Sequence, residues 1–270
     1  MTSGPPDTKK AIMAITETMF THAITRLPGE NFADGITTNT LRQPNYPLIQ
    51  KQHQAYRQAL HELGLEVIVL PAEPAYPDAY FVEDPAIVTP KIAIITLPGA
   101  PSRQGEEITL EPVLKQFRPV VHIQPPGTVE GGDILMVGNH FFIGLSDRTN
   151  LEGAAQLAAF LANAGHTSEN VQVASGLHLK SSINYIGKDT LLMTKSLADH
   201  PAFASYNKIQ LDPDEEVAAN TLWINNRLLT PKGFPKTYSK LTKLGLSIIE
   251  LDVSEVQKMD GGLTCMSLRL

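Results

Sequence analysis

The stretch Asp133-Ile134-Leu135-Met136-Val137-Gly138-Asn139-His140-Phe141-Phe142-Ile143 carries the pattern that decides the fold. Two short apolar runs flank a Gly138-Asn139 turn, which is typical of a β-hairpin. The segment from Asn150 to Ala164, closed by Gly165, predicts a helix, and Val171-Gln172-Val173 predicts a further strand. The structural unit indicated by the sequence is therefore hairpin, helix and strand.

The same order of elements recurs along the chain, at a period of roughly 45 to 50 residues. Further hairpins are predicted at 86–95, 183–193 and 221–230, further helices at 46–63, 106–117 and 238–244, and further strands at 23–25, 65–70, 120–123 and 246–251. No linker divides the chain, so the repeat predicts a single α/β domain with its units around a central channel. A doubly wound sheet is the alternative, although the hairpin turns favour antiparallel pairs.

Composition narrows the class of protein. The chain has 270 residues, of which 42% are hydrophobic and 19% are charged, which is typical of a folded globular protein. The formal net charge is 22 − 28 = −6, which argues against non-specific nucleic-acid binding but is compatible with a cationic small substrate. The sequence has no apolar run of the ~20 residues that a membrane span needs and no secretory signal, so we expect a cytoplasmic protein.

Cys265 is the only cysteine of the chain and lies in Asp260-Gly261-Gly262-Leu263-Thr264-Cys265-Met266-Ser267. A lone thiol forms neither an intrachain disulfide nor a cysteine-based zinc site. Two interpretations remain open at this point, namely an inert buried side chain and a nucleophile.

Polar residues concentrate at the ends of apolar runs. Asp78, Glu83 and Asp84 lie within one partly apolar segment that contains no Lys or Arg, which suggests that a cationic ligand is their partner. Arg103 and Arg148 each follow a predicted strand, and a pair of arginines can hold a carboxylate.

Glu130 and His178 complete the candidate residues. Glu130 precedes Gly131-Gly132, where the backbone can approach another group closely. His178 stands between two leucines and fits either a structural or a catalytic role. The histidines lack metal-ligand spacing such as His-x-x-x-His, so the sequence predicts no metal site.

Taken together and in order, these motifs resemble the dimethylarginine dimethylaminohydrolase family. The matching segments are 81–85, 98–103, 129–134, 148–150, 177–180, 218–220 and 260–268. The resemblance covers residues 19–270 and implies a pentein, a five-bladed pseudo-symmetric α/β propeller, as one catalytic domain. Residues 1–18 would form an N-terminal extension, flexible at its start. The implied reaction converts Nω,Nω-dimethyl-L-arginine or Nω-methyl-L-arginine to L-citrulline and an alkylamine, without a cofactor.

The resemblance also implies a role for each candidate. Cys265 would attack the guanidinium carbon and form an S-alkylthiouronium intermediate. His178 would act as general acid and then general base, and Glu130 would keep it charged. The remaining candidates would bind substrate: Asp84 the guanidinium, Asp78 and Glu83 the pocket around it, Arg103 and Arg148 the α-carboxylate, and the backbone carbonyls of Ile36 and Met259 the α-amine.

A lid around Ile36, flanked by Gly29 and Gly35, is also implied, but residues 27–32 depart from the family pattern. Arginine deiminase and amidinotransferase chemistry are therefore alternatives, and a non-catalytic pentein binding module is a remote one. The partner expected from the resemblance is a small methylated arginine, with no nucleic acid or membrane, and a homodimer is an expectation from relatives.

Overall fold

The computed structural model describes residues 19–40, 43–173 and 177–270. The predicted extension, residues 1–18, lies outside these residues, and its predicted boundary and flexibility stay predictions. No helix in the described ranges is long and apolar enough to cross a membrane.

The strands of the described chain form five sheets of three strands each. In chain order they are β1 (His22–Arg26), β2 (Glu66–Leu70), β3 (Ala86–Val88), β4 (Ala93–Ile95), β5 (Val120–His122), β6 (Ile134–Val137), β7 (His140–Leu145), β8 (Thr167–Gln172), β9 (Ile183–Tyr185), β10 (Thr190–Met193), β11 (Asn207–Gln210), β12 (Leu222–Ile224), β13 (Arg227–Pro231), β14 (Ser247–Leu251) and β15 (Leu268–Arg269). The α-helices are α1 (Tyr46–Glu62), α2 (Glu111–Leu114), α3 (Leu151–Asn163), α4 (Pro235–Thr242) and α5 (Ser254–Gln257).

Every sheet has the same construction. Its first strand pairs antiparallel with the middle strand, and the middle strand pairs parallel with the third. The strand orders are β15-β1-β2, β3-β4-β5, β6-β7-β8, β9-β10-β11 and β12-β13-β14. In the four sheets that contain β3 to β14, the first two strands form a hairpin and a crossover leads to the third, which is the repeat that the sequence predicts.

The first strands of the sheets, which we call the inner strands, are β3, β6, β9, β12 and β15. β15 packs beside β3, β6 beside β9, and β9 beside β12. The sheets are thus the blades of a ring around a central channel, and the predicted radial arrangement is confirmed. The doubly wound sheet is not formed.

Local sequence accounts for the ends of the main elements. The side chains of Asn45 and Asn150 accept hydrogen bonds from the backbone N–H groups of Leu48 and Gly153, which caps α1 and α3. Asn225 and Asn226 have φ angles of 49° and 63° in the β12–β13 hairpin, a conformation that asparagine tolerates better than other non-glycine residues.

The prediction of one helix over 106–117 is wrong. A 3-10 helix spans Glu106–Thr109, and α2 covers only Glu111–Leu114. Pro112 explains the break, because its nitrogen carries no hydrogen and it is accommodated only in the first turn of a new helix. The sequence reading also omitted the short strands β11 and β15, of which β15 completes the first blade.

Candidate active site

The predicted catalytic residues lie in the loops that directly precede the inner strands. Asp84 precedes β3, Glu130 precedes β6, His178 precedes β9 and Cys265 precedes β15. These loops meet at one mouth of the channel, where they line a pocket of about 30 Å³. The lining contains every predicted site residue except Glu83: Ile36, Asp78, Asp84, Arg103, Glu130, Arg148, His178, Met259 and Cys265.

His178 and Glu130 form a buried pair. His178 Nε2 and Glu130 Oε2 are 2.7 Å apart, and both side chains are almost fully enclosed. A Cβ atom on Gly132 would lie 2.7 Å from the imidazole ring, which is closer than real Cβ contacts allow. Gly132, which has no side chain, therefore leaves the His178 ring the space it needs to reach the Glu130 carboxylate.

The charges around His178 favour the imidazolium. Burial alone would lower the pKa of His178, but the negative charge of Asp84 and the hydrogen bond to Glu130 outweigh it, and the pKa is raised. Burial would raise the pKa of Glu130, but its hydrogen bond to His178 lowers it. The arrangement supplies a proton donor held in place by an ionised carboxylate.

The surroundings of Cys265 favour the protonated thiol. Burial, together with the nearby negative charges of Glu83 and Asp84, raises the pKa of Cys265 to about 12. Its loop is fixed by Asn220, which accepts from the backbone N–H of Thr264 at 2.8 Å and donates to the Thr264 hydroxyl at 3.1 Å. A cation placed against the sulfur would offset the two carboxylates and favour the thiolate.

Asp84 has a partner within the protein, which the sequence reading did not foresee. Arg103 donates from Nη1 to Asp84 Oδ2, and the backbone N–H of Gly132 donates to Asp84 Oδ1 at 2.8 Å. Burial would raise the pKa of Asp84, but the charges of His178 and Arg103 lower it to about 2. Asp84 is therefore an ionised carboxylate that faces the pocket.

Arg103 is more heavily engaged than predicted. Besides Asp84, its guanidinium contacts both oxygens of Glu106 and the backbone carbonyls of Asp78 and Phe81. Binding of a substrate carboxylate by Arg103 stays a prediction, and it would require these contacts to be shared. Arg148 is less constrained, because the described residues give its guanidinium one ion pair, at 3.5 Å to Glu130.

Glu83 lies outside the lining of this pocket, and its support of substrate binding stays a prediction. Its carboxylate points away from that pocket to Lys180 Nζ at 2.6 Å and Arg269 Nη2 at 2.9 Å. Glu83 and Asp84 lie in a turn directly before β3, and their carboxylates face different spaces. The cationic partners of Glu83 come from distant parts of the chain, which a local sequence reading does not detect.

The lid segment closes over the pocket through two aspartates. The backbone N–H of Ile36 donates to both oxygens of Asp78, at 3.0 and 3.2 Å. The carboxylate of Asp260 accepts from the hydroxyls of Thr37 and Thr38 and from the Thr38 backbone N–H. The volume of the pocket is only about 30 Å³, so we expect the segment around Ile36 to shift when a methylated arginine enters.

Three residues near the site were missed as functional candidates. Glu106 orients Arg103, Asp260 latches the lid, and Asp133 accepts from the Ser146 and Thr149 hydroxyls and from the Leu179 backbone N–H. Asp133 and Asp260 lie inside matched motifs and were available from the sequence. Glu106 was not, because only the fold brings it to Arg103.

The ligand atoms of Asp84, Glu130 and His178 lie within 4.8 Å of one another, a spacing that a metal ion would also accept. In the structure these groups already satisfy one another and neighbouring donors. The His178–Glu130 hydrogen bond uses Nε2, and Arg103 and Gly132 occupy the Asp84 oxygens. The described donors and acceptors thus already use the ligand atoms of this cluster.

The chain is similar to proteins that act on guanidino groups. The profile of the family described as arginine deiminase matches residues 73–229. The Pseudomonas aeruginosa protein named N(G),N(G)-dimethylarginine dimethylaminohydrolase is 44% identical over 253 residues, covering 93% of this chain and 100% of that protein. The Streptomyces coelicolor protein of the same name is 33% identical over 250 residues, covering 92% and 96%.

Solved structures agree with these relatives. A Pseudomonas aeruginosa dimethylarginine dimethylaminohydrolase variant complexed with citrulline superposes with a TM-score of 0.92 at 43% identity, covering 94% of this chain and 100% of that one. The N-terminal domain of the cyanobacterial arginine dihydrolase ArgZ has a TM-score of 0.82 at 16% identity, covering 92% and 97%. The second likeness shows a shared fold.

Proposed function

This chain belongs to the dimethylarginine dimethylaminohydrolase family of the pentein superfamily, and from that premise we propose how its pocket hydrolyses Nω,Nω-dimethyl-L-arginine to L-citrulline and dimethylamine. It is a hydrolase of guanidino C–N bonds. The observation that carries the assignment of roles is the meeting of the single thiol, the His178–Glu130 pair and Asp84 in one pocket. Nω-methyl-L-arginine, with methylamine as the product, is the second substrate of the proposal.

Substrate binding activates the nucleophile. The substrate guanidinium lies against Asp84 and Cys265, and its positive charge counteracts the carboxylates that raise the pKa of the thiol. The thiol proton passes to solvent as the thiolate forms. Arg148 holds the substrate α-carboxylate, and the backbone carbonyls of Ile36 and Met259 hold its α-amine. Arg103 reaches the α-carboxylate only by sharing its present contacts.

Chemistry then proceeds in two halves. The sulfur forms a bond to the guanidinium carbon, His178 gives its proton to the dimethylamino nitrogen, and the C–N bond breaks to release dimethylamine. A water molecule gives a proton to the now neutral His178 and adds to the thiouronium carbon. The C–S bond breaks as the remaining hydroxyl proton passes to the departing sulfur, which restores the Cys265 thiol, and citrulline leaves with the carbonyl oxygen taken from water.

The test is citrulline formation from dimethylarginine, with and without prior alkylation of the thiol. We expect citrulline and dimethylamine in equal amounts from the untreated protein and neither from the alkylated one. Free arginine is the matched control, since ammonia release from it would reveal arginine deiminase activity. Faster turnover of arginine than of both methylated substrates would contradict the proposed substrate.

The remaining parts of the proposal concern the setting of the enzyme. We propose that it acts in the cytoplasm on a free small molecule, without nucleic acid or membrane, and that it forms a homodimer. The single cysteine supports the cytoplasmic location, and the net charge of −6 argues against nucleic acid as a partner. The dimer is an expectation from relatives. Sedimentation equilibrium over a range of concentrations tests the dimer, and a monomer at all concentrations would refute it.

A further inference from the structure

The central channel contains a second cavity, on the other side of the Cys265 loop from the catalytic pocket. Its volume is about 130 Å³, and all five inner strands contribute to its wall, with Val88, Met136, Tyr185, Trp223 and Leu268 among the lining residues. An apolar cavity of about 150 Å³ is enough to hold benzene. The space therefore accepts a ring or a short branched chain.

One end of this cavity carries an unbalanced charge. Both Lys180 Nζ and Arg269 Nη2 contact the same oxygen of Glu83, Oε1, at 2.6 and 2.9 Å. Glu83 Oε2 is buried and has no hydrogen-bond partner among the described residues. Among the residues that the structure describes, the lining of the cavity contains no other charged side chain, so two of these cations face one carboxylate and the net charge of the trio is +1.

An excess charge at a nearly enclosed site is costly unless a counter-charge reaches it. The side chains of Lys180 and Glu83 are 9% and 4% exposed, so bulk water solvates them poorly. The rest of the wall is mainly apolar and aromatic. The cavity thus combines a cationic end with an apolar body, and its size limits the apolar part of the ligand to about that of benzene.

From these observations we propose that the second cavity binds a small monocarboxylate with an apolar body. The ligand carboxylate lies against Lys180 and Arg269 and neutralises the charge of the trio. Its ring or chain packs between Trp223, Tyr185 and the apolar strand residues. This site is separate from the catalytic pocket, since Thr264 lines the cavity whereas Cys265 lines the pocket.

Trp223 makes the proposal directly measurable, because it is the only tryptophan of the chain and lies in the cavity wall. Benzoate is titrated while tryptophan emission is recorded. We expect a saturable change in emission with benzoate, and at least a tenfold weaker response with the neutral analogue benzyl alcohol and the cationic analogue benzylamine. Equal responses to the three ligands, or no saturable response to benzoate, would overturn the proposal.

Paired substitutions test the role of charge in opposite directions. Lys180→Met removes one cation and brings the net charge to zero, so we expect the benzoate affinity to fall about tenfold or more. Glu83→Gln raises the net charge to +2, so we expect it to bind benzoate more tightly than the unmodified protein. Lys208→Met is the matched control, because Lys208 is exposed on β11 and outside the cavity. Unchanged affinity in both cavity variants would refute the charge argument.

The two pockets are distinguished by blocking one of them. Alkylation of Cys265 closes the catalytic pocket, and we expect the benzoate response of Trp223 to persist after it. Loss of the response would assign the ligand to the catalytic site and overturn the proposal. The measurement requires no turnover, so its outcome is independent of whether dimethylarginine is the substrate.

Discussion

At the scale of single residues, the central feature is a thiol whose surroundings disfavour the thiolate. Because burial and two carboxylates raise the pKa of Cys265 to about 12, its sulfur is mainly protonated at neutral pH unless a bound cation offsets the carboxylates. We expect Cys265→Ser to fold normally and to lose turnover, since a serine hydroxyl is still harder to deprotonate. Circular dichroism and citrulline release measure the two properties, and citrulline release at the unmodified rate would contradict the mechanism.

His178 is expected to contribute the proton transfers. His178→Ala removes the general acid and base, and we expect turnover to fall by ~100-fold or more, the lower end for such groups. The control is His61→Ala, since His61 is exposed in the last turn of α1. Steady-state citrulline formation is the measurement, and an unchanged rate in His178→Ala would remove His178 from the mechanism.

The raised pKa of Glu106 makes the free energy of unfolding depend on pH. Burial, opposed by Arg103, raises the pKa of Glu106 to about 7, whereas an unfolded glutamate ionises near pH 4.5. Between these pH values the unfolded state has lost a proton that the folded state keeps, so this group makes the free energy of unfolding fall as pH rises. We expect Glu106→Gln to remove that part of the slope between pH 5 and 7.

Urea unfolding at several pH values measures this slope. Glu152→Gln serves as the control, because Glu152 is exposed in the first turn of α3 and should leave the slope unchanged. A Glu106→Gln protein with the slope of the unmodified protein would show that Glu106 ionises normally in the folded state.

Sequence reasoning at this scale identified residue types better than their partners. The position of Cys265, His178 and Glu130 in one pocket matches what the motifs implied. The ion pairs of Glu83 and the engagement of Arg103 were not foreseen, because their partners Lys180, Arg269 and Glu106 meet them only after folding. Contacts of this kind leave no local pattern in the chain.

At the scale of elements, we expect the lid segment around Ile36 and its contacts with Asp260 to control access to the pocket. Asp260 has a φ angle of 57° and holds Thr37 and Thr38. Asp260→Asn keeps a residue type that tolerates this conformation but removes the charge from the latch. We expect a lid that opens more readily, with Cys265 alkylated several-fold faster by iodoacetamide.

The alkylation experiment has a simple control. Asp214→Asn changes an exposed aspartate that pairs with Lys236 far along the chain from the lid, and we expect it to react at the original rate. If Asp260→Asn also reacts at the original rate, then the Asp260 contacts do not limit access to the thiol.

Hairpins were the elements that the sequence predicted best. Turns with Gly138-Asn139 or Asn225-Asn226 between apolar runs give a strong local signal. The 106–117 helix was wrong because periodicity outweighed Pro112 in the prediction, and β15 was missed because two residues carry no periodic pattern. Such a short strand is defined by its pairing with β1 and not by its own composition.

At the scale of the whole molecule, the blades share their cores. Leu268 of β15 is 4% exposed and packs in one cluster with Ile24, Val82 and Ile95, which come from the first and second blades. We expect Leu268→Ala to lower the free energy of unfolding by about 2–5 kcal/mol, in one cooperative transition. Exposed Leu151→Ala should change it by no more than about 0.5 kcal/mol. Urea unfolding with two separate transitions would contradict the shared core.

The repeat of hairpin, crossover and strand was visible in the sequence because each unit buries one apolar strand at the channel, which leaves a recurring apolar run in the chain. The number of blades and their closure came from the family resemblance, since the closing contact joins segments at opposite ends of the pattern. The second cavity was not predictable, because five strands from five different segments form its wall.

The pairing of β1 with β15 has a consequence for how the enzyme comes into being on the ribosome. The Thr21 hydroxyl and the Leu270 carbonyl that meet beside this pair are 249 positions apart in the chain. Until β15 has been synthesised, β1 therefore has one unpaired edge, and the segment that carries Cys265 has not yet emerged. The reactive sulfur joins the site in the same late step that closes the ring, so a nascent chain displays the carboxylates, the histidine and the arginines before it possesses a nucleophile.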